Sequence, residues 1–210
     1  MTEVVFPPLE RVSGRPEKTF IKLGEGGEGN MAEILFGVWI KDYKRAHKEM
    51  VGGFKKSLIK DVITFKVPES RHGVGGAEEE LMKEIQTREN ILETLAKADD
   101  NVKYPISCCL LNLYEYNPSE SMWYAMEALP LGLTIEALQK PALGIYLAFP
   151  DEVIPHIFYQ LSQALEFLHR ECQITHVDIS RKNIMLRWMG RECEYLPDAI
   201  LIDFGHSGDG

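Results

Sequence analysis

Long apolar runs, cysteine pairs at zinc-site spacing and net positive charge are lacking in this 210-residue sequence, and each lack excludes a class of function. The longest nearly apolar stretch, Tyr104 to Tyr114, is too short and too polar to cross a bilayer, which takes about 20 apolar residues. No membrane span is expected. Met1 to Phe20 mixes Glu3, Glu10, Arg11, Arg15, Glu17 and Lys18 with prolines, and so lacks the apolar core of a signal peptide. The four cysteines, Cys108, Cys109, Cys172 and Cys193, have neither the spacing of a zinc site nor the density of a disulfide scaffold. They read as buried small side chains in a reducing compartment, so an intracellular location, cytoplasmic or nuclear, is expected. A net charge of -9 and a sequence pI ≈ 5.2 argue against a nucleic-acid surface, which needs clustered Lys and Arg to neutralise phosphates, and no nucleic-acid partner is expected. A Walker loop is also missing, because Gly52-Gly53-Phe54-Lys55-Lys56-Ser57 does not have the required glycine-to-lysine spacing.

What is present is enough apolar material, 45%, to bury a real core. Phe20 to Leu23 reads as a strand, Gly24 to Gly29 as a glycine-rich turn, and Met31 to Ile40 as a second strand. The basic stretch 41–60 reads as a solvated insertion, followed by a β-branched strand from Asp61 to Val67. A helix is predicted from Ala77 to Lys97, with Glu78, Glu79 and Glu80 in its first turn and Leu81, Ile85, Leu92 and Leu95 on one face. Two more strands are predicted at Ile106 to Tyr116 and Met122 to Leu129. Beyond them Pro155 opens a helix that runs to Arg170, with Ile157, Phe158, Leu161, Leu165 and Leu168 at helical spacing. A polar loop with His176 and Asp178, an apolar segment Ile184 to Leu186, a polar excursion Arg187 to Asp198 and a strand Ala199 to Ile202 complete the chain. The pattern predicts an α+β layout: a strand-rich first part with one main helix, then a mainly helical second part, with a cleft between them.

Four local patterns can carry chemistry. Gly24-Glu25-Gly26-Gly27-Glu28-Gly29 fits G-x-G-x-x-G, in which missing side chains let backbone N–H groups approach phosphate oxygens. A dinucleotide site would need a helix directly after it, whereas Met31 to Phe36 reads as strand. Ile63-Thr64-Phe65-Lys66-Val67 places one lysine in an apolar strand, suited either to anionic phosphates or simply to solvent. His176-Val177-Asp178-Ile179-Ser180-Arg181-Lys182-Asn183 sets a carboxylate five residues before an amide, so a proton acceptor and a metal ligand can share one loop. Asx-type capping of a turn is the plainer reading of that loop. Ile200-Leu201-Ile202-Asp203-Phe204-Gly205 then ends an apolar strand on a carboxylate placed to bind magnesium.

Taken in order, Gly24, Gly26 and Gly29, then Lys66, then Asp178 with Asn183, then Asp203-Phe204-Gly205 resemble the protein kinase superfamily over Phe20 to Gly205. The resemblance implies a two-lobed kinase-like fold. After an extension at 1–19, an N-lobe would span 20–129, with the insertion 41–60 and a hinge at about 127–132; a partial C-lobe would span 133–210. It implies ATP and Mg2+ as cofactors. The glycine loop and Met31 would cover ATP, and Lys66 would hold its α and β phosphates. Met126 would be the gatekeeper, and the backbone of Glu127 and Leu129 would grip adenine. Asp178 would accept or orient the substrate hydroxyl proton, while Asn183 and Asp203 would hold magnesium. The activity implied is phosphate transfer to a protein hydroxyl, serine or threonine before tyrosine.

The sequence departs from the kinase pattern at several positions. Val177 replaces the arginine that often follows the loop histidine, and Ser180 replaces a lysine usual in serine/threonine kinases. Helical register puts Arg88 where the acid that pairs with the lysine is expected, which makes Glu84, one turn earlier, the first candidate partner of Lys66 and Glu89 the second. Only His206 to Gly210 follow the metal motif, so a fragment of a longer kinase is expected, its remaining part a further partner. A nucleotide-binding pseudokinase and a small-molecule phosphotransferase of the aminoglycoside and choline kinase type are the alternatives these residues leave open.

Overall fold

A computed structural model describes residues 10–11, 20–28, 32–42, 62–68, 76–118, 122–129, 133–139, 149–188 and 195–209. The architecture is α+β, and the chain divides into two compact units. One is drawn from Pro7–Ile85 and Asn112–Ala128, the other from Gln86–Leu111 and Leu129–Gly210.

The first unit is built on one sheet. Its strands are β1 (Glu10–Arg11), β2 (Phe20–Glu28), β3 (Ala32–Trp39), β4 (Val62–Pro68), β5 (Leu113–Asn117) and β6 (Trp123–Glu127), in the order β1-β5-β6-β4-β3-β2. All ladders are antiparallel except the short parallel contact of β1 with β5. β4 lies inside the sheet, as its run of β-branched and aromatic residues favours. Phe20, Leu35, Trp39, Ile63, Phe65, Trp123 and Ala125 form the core of this unit, with the Phe20 and Phe65 rings stacked at 3.5 Å between centroids.

The glycine-rich segment differs from the expected turn. Gly24 to Glu28 stay within β2 and pair with β3, and the surplus residues are taken up by register shifts between Lys22 and Gly24 and between Glu25 and Gly27. Bulges absorb extra residues in this way while keeping the ladder. Gly29 and Met31 lie outside the described residues, as do positions 43–60 of the expected insertion.

Gly37 is where the sheet tolerates no side chain. A Cβ there would stand 2.8 Å from the Ile21 carbonyl oxygen and 2.8 Å from Phe20 Cδ2. The carbonyl belongs to the neighbouring strand and cannot rotate away. Gly37→Ala is therefore expected to destabilise the sheet unit by about 1–3 kcal/mol, read as a lowered urea midpoint.

Helix α1 (Gly76–Lys97) begins in the sheet unit and continues in the second unit. The second unit also contains α2 (Asp100–Cys108), β7 (Leu133–Thr134), α3 (Ile135–Gln139), α4 (Val153–Arg170), β8 (Ile174–Thr175), β9 (Ile184–Arg187), β10 (Asp198–Leu201) and β11 (Gly208–Asp209). The strands form a small sheet in the order β10-β9-β7 and a pair β11-β8. Leu95, Leu168, Leu186, Ala199, Leu201 and Phe204 lie at the centre of its core.

Two expectations change here. Ile106 to Tyr116 is not one strand: α2 runs through Cys108, and strand begins only at Leu113. A short apolar run such as Cys108 to Leu111 has no periodicity that separates buried helix end from strand. In α4 the buried face is Val153, Ile157, Gln160, Ala164, Phe167 and Leu168, whereas Phe158 is 73% exposed. The core stripe is thus centred on Gln160, a polar residue that the apolar pattern passes over.

Candidate functional site

In the sheet unit the inside strand β4 carries Lys66, whose Cα partners are Ile34 and Tyr124. Its Nζ lies 2.6 Å from Glu84 Oε2 in the first part of α1, with the two side chains 13% and 1% exposed. Such an ion pair forms where apolar neighbours exclude water and a carboxylate cannot be left alone. Glu89, the second candidate, lies five residues further on, about 140° around the helix. Of the glycines, Gly24 has open space where a Cβ would go, whereas a Cβ on Gly26 would meet Ile34 Cγ2 at 2.8 Å. At the end of β6 the Glu127 N–H donates to the Asn112 carbonyl at 2.8 Å, and Asn112 Nδ2 donates to the Glu127 carboxylate at 3.1 Å. Met126 precedes it and is buried; Leu129 is buried and belongs to the second unit.

In the second unit the loop from His176 to Asn183 is held from inside. His176 is fully buried, and its Nε2–H donates to the Ile202 carbonyl at 3.0 Å. Burial pushes the His176 pKa down; the Ile202 hydrogen bond and the nearby Asp203 and Asp178 carboxylates oppose that shift, and the Arg88 charge adds to it. Its ring packs 4.9 Å from the Phe204 ring, and the Arg88 guanidinium lies 5.1 Å from that same ring. The chain then reverses sharply: the Asp178 N–H donates to the His176 carbonyl at 2.8 Å, with Val177 at φ 67. That left-handed backbone is unfavourable for a β-branched residue and turns Asp178 outward while His176 points in.

Asn183 ties the loop to the segment that leads into Asp203-Phe204-Gly205. Its Nδ2 donates to both the Asp178 carbonyl and Asp178 Oδ2 at 2.9 Å, and its own carbonyl accepts the Ile202 N–H at 3.0 Å. Asp203 follows Ile202 at φ 63, left-handed like Val177 and like Gln173 at φ 56. The three sequence-predicted residues Asp178, Asn183 and Asp203 are thereby brought together by backbone and side-chain hydrogen bonds. With both Nδ2 bonds going to Asp178, Asn183 Oδ1 makes no hydrogen bond among the described residues. An amide oxygen beside a carboxylate is an oxygen donor set that suits Mg2+, which keeps waters and substrate oxygens for its remaining positions. No group of three or more His, Cys, Asp or Glu that could form a cage occurs among the described residues.

Sequence reasoning missed the residues behind this loop. Gln160, Arg187 and Asp198 form a buried polar cluster. Arg187 Nη1 lies 3.5 Å from Asp198 Oδ2, Gln160 Nε2 donates to Asp198 Oδ1 at 3.3 Å, and Gln160 Oε1 accepts the Ala199 N–H at 2.8 Å. The available signal was a glutamine at a core position of an apolar helix stripe; Arg187 and Asp198 read only as the ends of a polar loop.

Three of the four cysteines behave as expected of buried small side chains, since Cys108, Cys109 and Cys172 are all buried, while Cys193 lies outside the described residues. Burial raises the Cys172 thiol to about 11. Since the thiolate is the nucleophile, the thiolate fraction at pH 8 is on the order of 1 in 1,000. In a Cys193→Ser background, a maleimide is therefore expected to label no cysteine at pH 8 until denaturant is added.

The chain is similar to two protein kinases. One is the serine/threonine-protein kinase CHK1 of Saccharomyces cerevisiae, 27% identical over 179 residues, covering 85% of this chain and 28% of the relative. The other is the dual specificity mitogen-activated protein kinase kinase 1 of Dictyostelium discoideum, 31% identical over 88 residues, covering 42% of this chain and 12% of the relative. The chain thus spans well under half the length of either curated relative. No protein-family model matches it. Among the described residues, no helix is long and apolar enough to cross a membrane.

Proposed function

We propose that this chain is the nucleotide-binding and catalytic-loop part of an ATP-dependent protein kinase with a two-lobed kinase fold, transferring phosphate to a serine or threonine hydroxyl in preference to tyrosine. The observation that carries the reading is Asn183, which bonds Asp178 through its side chain and the residue before Asp203 through its backbone. On this reading a proton acceptor and two oxygen ligands would be held in a fixed relation, as in-line phosphate transfer requires. The similarity to two proteins named as kinases, one of them serine/threonine, supports the same class.

In this reading Asn183 Oδ1 and the Asp203 carboxylate would hold Mg2+, which neutralises phosphate charge when bound. Lys66, kept extended by Glu84, presents its ammonium to anionic phosphate oxygens. The exposed strand β2 offers backbone N–H groups around Gly24, where no side chain intervenes. Asp178, with one oxygen engaged by Asn183, keeps the other to accept or orient the proton of an incoming hydroxyl. Val177, in place of an arginine, leaves the loop without the cation that would read a phosphate in an activation segment, so control by such a phosphate is not expected.

The test is a thermal shift with ATP and Mg2+. A ligand that binds only the native state raises the midpoint by mass action, about 2.7 kcal/mol of stabilisation at a hundred times its Kd. The expected result is a shift that requires both ATP and Mg2+ and is lost in Lys66→Met and in Asp203→Ala, each read against its own ligand-free midpoint. Absence of a shift in the cooperatively folding wild type would sink the ATP reading. A shift without transfer to any protein acceptor would leave a nucleotide-binding module instead.

A further inference from the structure

Of the two strands that carry the proposed metal ligands, β9 alternates between buried and half-buried residues, whereas β10 does not encode its own register. Asn183 directly precedes β9, and Asp203 follows β10 by two residues, so their separation is set by how Ile184–Arg187 pairs with Asp198–Leu201. The pairing is antiparallel, with Leu201 opposite Ile184 at one end and Asp198 opposite Arg187 at the other. Register is ordinarily specified because a slip moves an apolar face into water. β10 is buried on both faces, with Ala199, Ile200 and Leu201 all at 0% exposure, so its apolar pattern is indifferent to a slip.

We infer that Arg187 and Asp198, with Gln160, are positioning residues that lock this register and thereby set Asn183 beside Asp203. The inference rests on the kinase reading for its functional consequence, though the lock itself does not. Asp198 is fully buried and faces Arg187 across the far end of the ladder. Any slip would separate these charges and leave a carboxylate inside the core without its cation. Gln160 of α4 fixes the same end a second time, donating to Asp198 and accepting from the Ala199 N–H. Arg187 Nη1 also donates to the Cys108 carbonyl at 3.3 Å, and Leu201 N–H donates to the Cys109 carbonyl at 2.9 Å, which fixes both strands against the end of α2. At the near end the register is read out by the bond from Ile202 N–H to the Asn183 carbonyl. Buried ion pairs often stabilise no more than apolar replacements do, and specifying register is their best-attested use. Here the register specified is that of the metal ligands.

The experiment combines native-state hydrogen exchange with a metal titration. In wild type, the Ile202 amide is expected to open with the same free energy as the Ala199 amide, because the far end holds the near one. In Arg187→Met/Asp198→Asn, which keeps an acceptor for Gln160, the midpoint of thermal unfolding is expected to stay within a few degrees of wild type. Ile202 exchange is expected to rise at least tenfold, and paramagnetic broadening of Asn183 and Asp203 by Mn2+ to require at least tenfold more metal. Arg187→Lys, which keeps the charge, is expected to restore most of both. An Ile202 amide that opens in wild type while Ala199 stays protected would overturn the lock. So would a folded double variant with unchanged exchange and unchanged metal titration. Wild type that binds no Mn2+ near Asn183 and Asp203 would sink the metal reading instead, and the exchange arm would still decide the register. Should the double variant not fold, the wild-type exchange result decides alone.

Discussion

Asn183→Ala is expected to reduce phosphate transfer by about 100- to 10,000-fold while leaving the fold cooperative. The range is that of a positioned proton-transfer group, and it applies because one side chain both holds Asp178 and supplies the oxygen proposed to face the metal. Removing Asn183 deletes both hydrogen bonds that fix Asp178, and it deletes the oxygen proposed to face the metal. Asn183→Asp separates these losses. It restores an oxygen ligand but sets a carboxylate against Asp178 where a donor stood, at a spacing of 2.9 Å in the present pair. Its metal requirement is therefore expected to fall closer to wild type than that of Asn183→Ala, while its rate at saturating metal stays low. Steady-state rates at a series of Mg2+ concentrations distinguish the two. Equal metal dependence in both variants would show that Asn183 acts only through Asp178.

Much of this site was legible because the chemistry demands particular residue types at particular spacings. Asp178 and Asn183 can meet because a sharp reversal at Val177 and a short turn closed by the Ser180 carbonyl bring positions five apart together. Register pointed to Arg88, and Glu84 was the first of two candidate partners for Lys66. Glu84 shares the buried face of α1 with Leu81 and Ile85, and a glutamate on such a face has to find a cation. Arg88, at the position where the acid was expected, instead lays its guanidinium on Phe204, an aromatic partner that a search for opposite charges does not consider.

What stayed hidden depends on tertiary neighbours. Gln160 looks like a gap in an apolar stripe until Asp198 and the Ala199 N–H supply its partners. The glycine segment was read as a turn because four glycines between positions 24 and 29 discourage strand, yet pairing with β3 holds Gly24 to Glu28 in the ladder. The end of α2, Ile106 to Cys108, was read as the start of a strand because the short apolar run that begins there carries no helical periodicity. Proline in a helix removes one hydrogen bond, and burial of Ile106, Ser107 and Cys108 compensates for it. In each case a local preference loses to a contact made by a distant residue.

The pair Lys66 and Glu84 should show the same logic energetically. Lys66→Met removes the cation from a carboxylate that is 1% exposed, and stranding one member of a buried pair costs about 3–5 kcal/mol. Lys66 itself is 13% exposed, so water reaches part of the pair and the lower end of that range applies. Glu84→Gln is expected to cost less, about 1–3 kcal/mol, because a neutral amide can still accept a hydrogen bond from the ammonium. The double variant Lys66→Met/Glu84→Gln leaves no buried charge from this pair, and its stability is expected to recover above that of Lys66→Met alone. Urea unfolding of the four proteins forms a double-mutant cycle that isolates the coupling. A coupling below about 0.5 kcal/mol would show that water screens the pair as it does at a protein surface. A large coupling, combined with nucleotide binding that is lost in Lys66→Met and not regained in the double variant, would mean that Glu84 holds the lysine in place and that the lysine, rather than the stability of the sheet, is what the phosphates need.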